Sequence, residues 1–472
     1  MRRAFRAAAA FDLMLGSGAC GAADPAAPLD AMAPGREAAA PAANDIARTL
    51  AQAARPITGG ESDYADLLAA AGGTRRVLLG ESTHGTHEYY RERGRITEAL
   101  IERHGFNAVA IEGDWTPIRR LNDYVRGLGT DRSAAEAMGG LTRFPEWMWR
   151  NAEFAGFVER LRAINAGRPA ERRVALYGMD VYDLFDAADA ALAYLRTADP
   201  AAAKRAEAQY RCFRRFGRKT EAYGEATRNG TDCRRQAEAV LAELRRIPRP
   251  AGAEAAERHF AALRAAASVV AAEAYFRTAY SGSMAWNVRD QSMAATVEEI
   301  AAHAEAMSGQ PGKVVMWSHN SHSGDARATD AANRGELNLG QLMRQRHGDQ
   351  AFLVGFFSHG GTVLAAPDWG EAGRVYDMRA ALAGSHAALF RRLGLPAFSL
   401  VLRGNRETAA LLERPMEQRA IGVVYRPGSE RLSHYFDARL AEQFDAAVYF
   451  DRSKAVSPLP HRPAPSRPRA GG

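Results

Sequence analysis

Cysteine is scarce in this sequence: three among 472 residues, at positions 20, 212 and 233. Three thiols do not make a disulfide framework, and neither Cys212 nor Cys233 has a His or Cys neighbour at metal-ligand spacing. We expect these two to be buried or idle thiols in a helical region, although an exported chain that has lost Cys20 is able to pair them. Long apolar runs are missing too. None reaches the roughly 18 residues that a membrane-spanning helix needs, so no span is expected after the first two dozen residues. Dense charge of one sign is also absent: 62 Lys and Arg stand against 55 Asp and Glu, a formal net charge of +7 spread along the chain as scattered arginines. With no basic helix interleaved with aromatics and no nucleic-acid-binding module, a nucleic-acid partner is not expected. Two hydrolase signatures are missing as complete motifs, Gly-x-Ser-x-Gly and His-Glu-x-x-His.

What is present is an ordinary globular composition, 47% hydrophobic and 25% charged, long enough to bury a large core. Residues 1–23 resemble a signal peptide, with Arg2, Arg3 and Arg6 before an apolar stretch from Ala7 to Leu15 and small residues up to Ala23. Asp12 interrupts that stretch, so exported and cytoplasmic locations both stay open. A lipoprotein is not expected, because Ser17 stands three before Cys20 where a large aliphatic residue belongs. Residues 24–44 are an Ala/Pro-rich linker and 457–472 a Pro/Arg-rich tail, both too poor in large apolar residues to order themselves. The folded domain is then 45–456.

Within it, short β-rich runs alternate with helical patterns: Arg76–Leu79, Ala108–Ile111, Val174–Tyr177, Val314–Trp317, Phe352–Phe357, Phe398–Leu402, Ile421–Tyr425 and Ala447–Phe450. This order predicts an α/β fold with a largely parallel, or mixed, central sheet flanked by helices. From about 186 to 307 the strand signals stop and Ala, Arg, Glu and Leu follow a helical period, which predicts a helical insertion packed over one edge of the sheet.

Ligands in open α/β sheets gather at the carboxyl ends of strands. Four of the predicted strands run there into polar residues: Gly80-Glu81-Ser82-Thr83-His84-Gly85, Glu112-Gly113-Asp114-Trp115, Gly178-Met179-Asp180, and Ser318-His319-Asn320-Ser321-His322. One such end is often only a helix cap, and Asp180 and Asp325 have that plainer explanation. Four together form a site pattern, since such groups are costly to bury unpaired. His359 is a further candidate, whereas Trp115, Trp317 and Trp369 are expected in the core or a cleft wall.

The stretch from Val77 to Trp115, with its Gly-Glu-x-x-His-Gly turn and Arg93, resembles the amino-terminal signature of the erythromycin esterases. The segment Trp317-Ser-His-Asn-Ser-His322 resembles that family's second signature. The resemblance spans about 50–455 and implies an ester or lactone hydrolase, with a small molecule, for some members a macrolide, as substrate and no cofactor. By position it marks Glu81, His84, Arg93, Glu112, His319 and His322 as site residues. In the family the histidine matching His84 is the general base, a role that suits an imidazole with an ordinary pKa near 6.5. Glu112 or Glu81 would orient it, and His319, His322 and Arg93 would stabilise the oxyanion. Three alternatives stay open: a divalent metal held by the same His/Glu cluster, a serine esterase using Ser82, and a non-catalytic binding homologue.

Overall fold

The computed structural model describes residues 43–282 and 284–460. The expected leader at 1–23, the linker up to residue 42 and the tail from 461 lie outside the described residues. The last linker residues begin the helix Ala43–Ala53. Residues 457–460 are pinned to the start of the helix Ala152–Ala166: Ala152 N–H donates to the Ser457 carbonyl at 2.9 Å and Leu459 N–H to that of Arg150 at 3.0 Å. Prolines remove donors but leave the intervening residues free to bond.

Among the described residues eleven strands form, β1 (Arg55–Pro56), β2 (Arg76–Leu79), β3 (Ala108–Asp114), β4 (Ala175–Asp180), β5 (Val314–Trp317), β6 (Ala351–Ala365), β7 (Arg374–Met378), β8 (Ala397–Val401), β9 (Met416–Arg419), β10 (Tyr435–Ala438) and β11 (Ala446–Ser453). The main sheet has the order β1-β8-β11-β6-β2-β5-β3-β4, with β7 paired to β6, and β9 and β10 make a separate pair. The six strands from β11 to β4 run parallel, whereas β8 is antiparallel to β11, β1 to β8 and β7 to β6. The sheet is therefore mixed, as closely spaced later strands lead one to expect.

Alternate residues of each parallel strand enter two different cores. Leu78, Ala110, Tyr177, Met316 and Leu353 face one, and Val77, Leu79, Ile111, Leu176, Trp317 and Val354 face the other. Apolar residues on both faces are what a parallel sheet covered on both sides requires, each buried aliphatic chain stabilising the fold by about 1.5–3 kcal/mol.

Six helices follow β4, from Phe185–Ala198 to Ala285–Ser308. Their alanines share the first core with the sheet. Buried Glu257, on the helix Ala253–Ser281, accepts hydrogen bonds from Asn122 at 2.9 Å and Tyr177 at 2.9 Å, and lies 3.0 Å from His303. A buried carboxylate is tolerable because its lone pairs are used, and here they join the insertion to β4.

Two expectations need correction. Cys212 and Cys233 form a disulfide: the chain doubles back between the helices Pro200–Arg214 and Arg234–Arg246 and brings their Cα atoms to 5.9 Å. Ile421–Tyr425 joins no ladder and makes only single bridges, Ile421 with Thr83 and Val424 with Ala366. Its residues are apolar because they are buried across the ends of β2 and β6.

Two glycines of the first motif answer to close approach. A Cβ on Gly80 would lie 2.1 Å from Asn320 Oδ1, and one on Gly85 would lie 1.9 Å from the Leu364 carbonyl oxygen. The β6 backbone at Leu364 cannot give way, because its N–H also bonds the Gly85 carbonyl at 3.1 Å. Gly85→Ala is expected to lower the unfolding free energy by about 1–3 kcal/mol, measured by chemical denaturation. An unchanged midpoint would show that the contact between β6 and the loop after β2 is looser than described.

Candidate active site

The chain leaves β2, crosses to β3 and β4, and returns to insert β5 between β2 and β3. The carboxyl ends of these strands consequently lie side by side, and the polar residues after each meet there. They border a cavity of about 480 Å³ whose lining includes His84, Glu112, Asp180, Arg289, His319 and His322.

Glu81 is fully buried. Its Oε1 lies 2.9 Å from His84 Nδ1 and its Oε2 2.7 Å from Arg93 Nη2. A carboxylate facing both groups only accepts, so Nδ1 of a neutral His84 carries the ring hydrogen and Nε2 the basic lone pair. Arg93, on the helix His87–His104, is fully buried with its guanidinium against the rings of Tyr90 and Trp317. Neither Glu81 nor Arg93 lines the cavity. The expectation that Arg93 stabilises an oxyanion is therefore corrected: it neutralises Glu81 from behind.

His319 shows the opposite tautomer. It caps the short helix Asn320–Ser323, its Nδ1 accepting the Ser321 N–H at 3.3 Å with Ser321 Oγ at 2.8 Å. A backbone N–H can only donate, so the hydrogen of the neutral ring sits on Nε2. That atom is buried and makes no hydrogen bond of good geometry among the described residues, although the Ser82 backbone carbonyl lies close enough to favour its N–H. Burial, with His84 nearby, pushes the His319 pKa down to about 3, which keeps the ring neutral. The two imidazole centroids are 4.9 Å apart.

Glu112 ends its strand with Oε2 accepting the His319 N–H at 2.8 Å and Oε1 accepting from Arg289 Nη2 at 2.7 Å. Burial opposes its charge, but His322, Arg289 and His84 outweigh burial and hold its carboxyl well below the usual carboxylate range. His322 Nδ1 lies 2.9 Å from both oxygens of Asp290, and Nε2 lies 2.8 Å from Arg289 Nη1. Asp180 takes two hydrogen bonds from Arg289, at 2.9 and 2.8 Å. Further along the wall, burial and the neighbouring charge of Asp114 push Asp183 up to about 7.

Other candidates fall outside. Asp325 caps a turn and pairs with Arg327. His359 does not line the cavity, and Ser82 Oγ lies 2.8 Å from the Tyr89 hydroxyl, also away from the cavity lining. Ser82 Oγ thus faces Tyr89 and not an imidazole that would activate it as a nucleophile. Among the described residues no three His, Cys, Asp or Glu side chains are grouped to hold a metal ion. The oxygens of Glu81, Glu112 and Asp180 already face imidazole, guanidinium or backbone N–H groups. Arg289 and Asp290 were not foreseen. Their one sequence signal is an adjacent opposite-charge pair just after Trp286 at the end of an Ala-rich insertion.

Protonating a group whose folded pKa is depressed favours the unfolded chain. The His319 contribution to stability is present above pH 6.5 and lost as pH falls toward 3. His319→Gln is expected to show a shallower fall in unfolding free energy across that window, by up to about one proton's slope, read from denaturation at several pH values. An identical slope in both proteins would place the proton uptake elsewhere.

The erythromycin esterase family model matches residues 101–453, a span that includes Glu112, His319 and His322 and begins after His84. Three solved structures share the fold. One is a succinoglycan biosynthesis protein, 18% identical, with a TM-score of 0.71 over 88% of this chain and 98% of its own. Another is a protein from Bacillus cereus, 18% identical, with a TM-score of 0.72 over 89% and 100%. The third is a histidine-to-asparagine variant of the erythromycin esterase EreC in its open conformation, 15% identical, with a TM-score of 0.56 over 86% and 97%. The chain belongs to the erythromycin esterase family.

Proposed function

We propose that this protein hydrolyses a carboxylic ester or lactone with water as the nucleophile. The observation that carries the proposal is that two imidazoles beside one cavity have opposite partners at Nδ1: His84 Nδ1 faces the Glu81 carboxylate, which leaves Nε2 the basic atom of the neutral ring, and His319 Nδ1 accepts a backbone N–H, which puts the hydrogen on Nε2. In the reaction, His84 Nε2 takes a proton as water oxygen bonds to the carbonyl carbon. The charge that develops on the carbonyl oxygen is met by the His319 Nε2–H, which must turn from the nearby Ser82 carbonyl toward the substrate. Glu81 accepts the Nδ1–H of the His84 imidazolium and fixes its orientation, as the acid of a catalytic triad does for its histidine, and the nearby Glu112 carboxylate faces the new charge. When the tetrahedral intermediate collapses, the carbon–oxygen bond to the alcohol breaks and the imidazolium returns the proton to it. One ester and one water become one acid and one alcohol.

The lining favours a bulky substrate. Leu141, Met148, Trp149, Val423 and Phe436 form an apolar side, and Asp114, Arg143, Arg218 and Glu221 a charged one. A ligand with a broad apolar face and several oxygen functions fits both, and a macrolide lactone is one member of that class.

His84→Ala is expected to lower kcat by about 10²–10⁴-fold with KM little changed, on a panel of macrolide and simpler aryl or sugar esters followed by mass spectrometry. Hydrolysis in ¹⁸O-labelled water should put the label in the product acid. Full activity of His84→Ala, or loss of activity on chelation with rescue by a divalent ion, would overturn the mechanism. Glu81→Gln is expected to lower kcat by about as much as His84→Ala, since an amide able to donate no longer fixes the imidazole hydrogen.

A further inference from the structure

We propose that Arg289, contributed by the helical insertion, is the positioning residue of the site: it clamps Glu112 against the His319 loop and fixes the tautomer of His322. This inference rests on the hydrolase reading and adds a residue from outside both sequence motifs.

A guanidinium offers five N–H donors in a rigid fork and accepts nothing. Arg289 uses that fork in three directions. Nε and Nη2 hold Asp180 on β4, Nη2 also holds Glu112 on β3, and Nη1 meets His322 Nε2 after β5. Because Nη1 only donates, His322 Nε2 accepts and the ring hydrogen lies on Nδ1, between the two Asp290 oxygens. Consecutive residues of one helix thus grip both nitrogens of the ring. Trp286, three residues earlier, stacks on it at 4.3 Å and 10°.

The clamp reaches His319 without touching it. The second oxygen of Glu112 accepts the His319 N–H, so a carboxylate held by Arg289 sets where the His319 loop begins. Glu112 is faced by Arg289 from the insertion, by His322 and His319 from the loop after β5, and by His84 from the loop after β2. Asp180 is faced by Arg289 and Arg143 and by the carboxylates of Glu112 and Asp114. Tyr182 borders the guanidinium, its ring centre 5.3 Å away. Without the guanidinium two buried carboxylates share one space with no cation between them, and one of them takes up a proton.

The test compares wild type with Arg289→Lys and Arg289→Gln by kcat, KM and pH profile on one hydrolysed ester, after thermal unfolding and circular dichroism have shown each to be folded. Arg289→Gln is expected to lose up to about 10²-fold in kcat with KM little changed, and to gain an ionisation on the acid side of the kcat profile that wild type lacks. Arg289→Lys should keep the single ionisation, because the charge remains, at a reduced kcat. Imidazole ¹⁵N shifts of wild type should show His322 protonated at Nδ1, a readout that needs neither a variant nor a substrate. An Nε2–H tautomer for His322 in wild type, or an Arg289→Gln pH profile identical to wild type, would overturn the proposal. If wild type shows the expected tautomer but cleaves no ester, the hydrolase reading fails and the clamp stands.

Discussion

The proposed chemistry depends on a single buried carboxylate that faces an imidazole and a guanidinium. Glu81 is fully enclosed, a position that is costly for an unpaired charge, and it is tolerable because Arg93 supplies the counter-charge from behind. With that charge balanced, the other carboxylate oxygen is left to face His84 Nδ1. The basic atom of His84 then has to be Nε2. At His319 a backbone N–H makes the opposite assignment. A base and a donor arise from one residue type because their partners differ.

The sheet makes this meeting possible. Insertion of β5 between β2 and β3 brings three loops to one end, and close backbone approach at Gly80 and Gly85 lets the first loop lie flat against Asn320 and β6. Arg289 ties the far side, joining β3, β4 and the loop after β5 through one guanidinium. Buried charges are expensive individually; here they alternate in sign from Arg93 to Glu81 and from Arg289 to Glu112 and Asp180.

Much of this was legible in the sequence, for identifiable reasons. The parallel strands Arg76–Leu79 and Val314–Trp317 match their predicted limits, since a strand buried on both faces is apolar throughout and its polar exit is abrupt. Ile421–Tyr425 has the same composition but is buried by loops, a distinction that periodicity cannot make. The motif residues meet at one cluster, yet sequence could not tell which side of the cluster each occupies. Arg93 and Glu81 stand behind His84, whereas Glu112 stands at the cavity. Arg289 was hidden because its helix reads as one more Ala-rich segment of the insertion, and the Cys212–Cys233 pairing because it depends on how those helices turn back.

The central claim is the opposed placement of two hydrogens, and neutron diffraction from crystals exchanged into heavy water would locate both. At neutral pH the account predicts deuterium on Nδ1 of His84 and on Nε2 of His319. Deuterium on His84 Nε2 with a bare Nδ1, or on His319 Nδ1 with a bare Nε2, would contradict it.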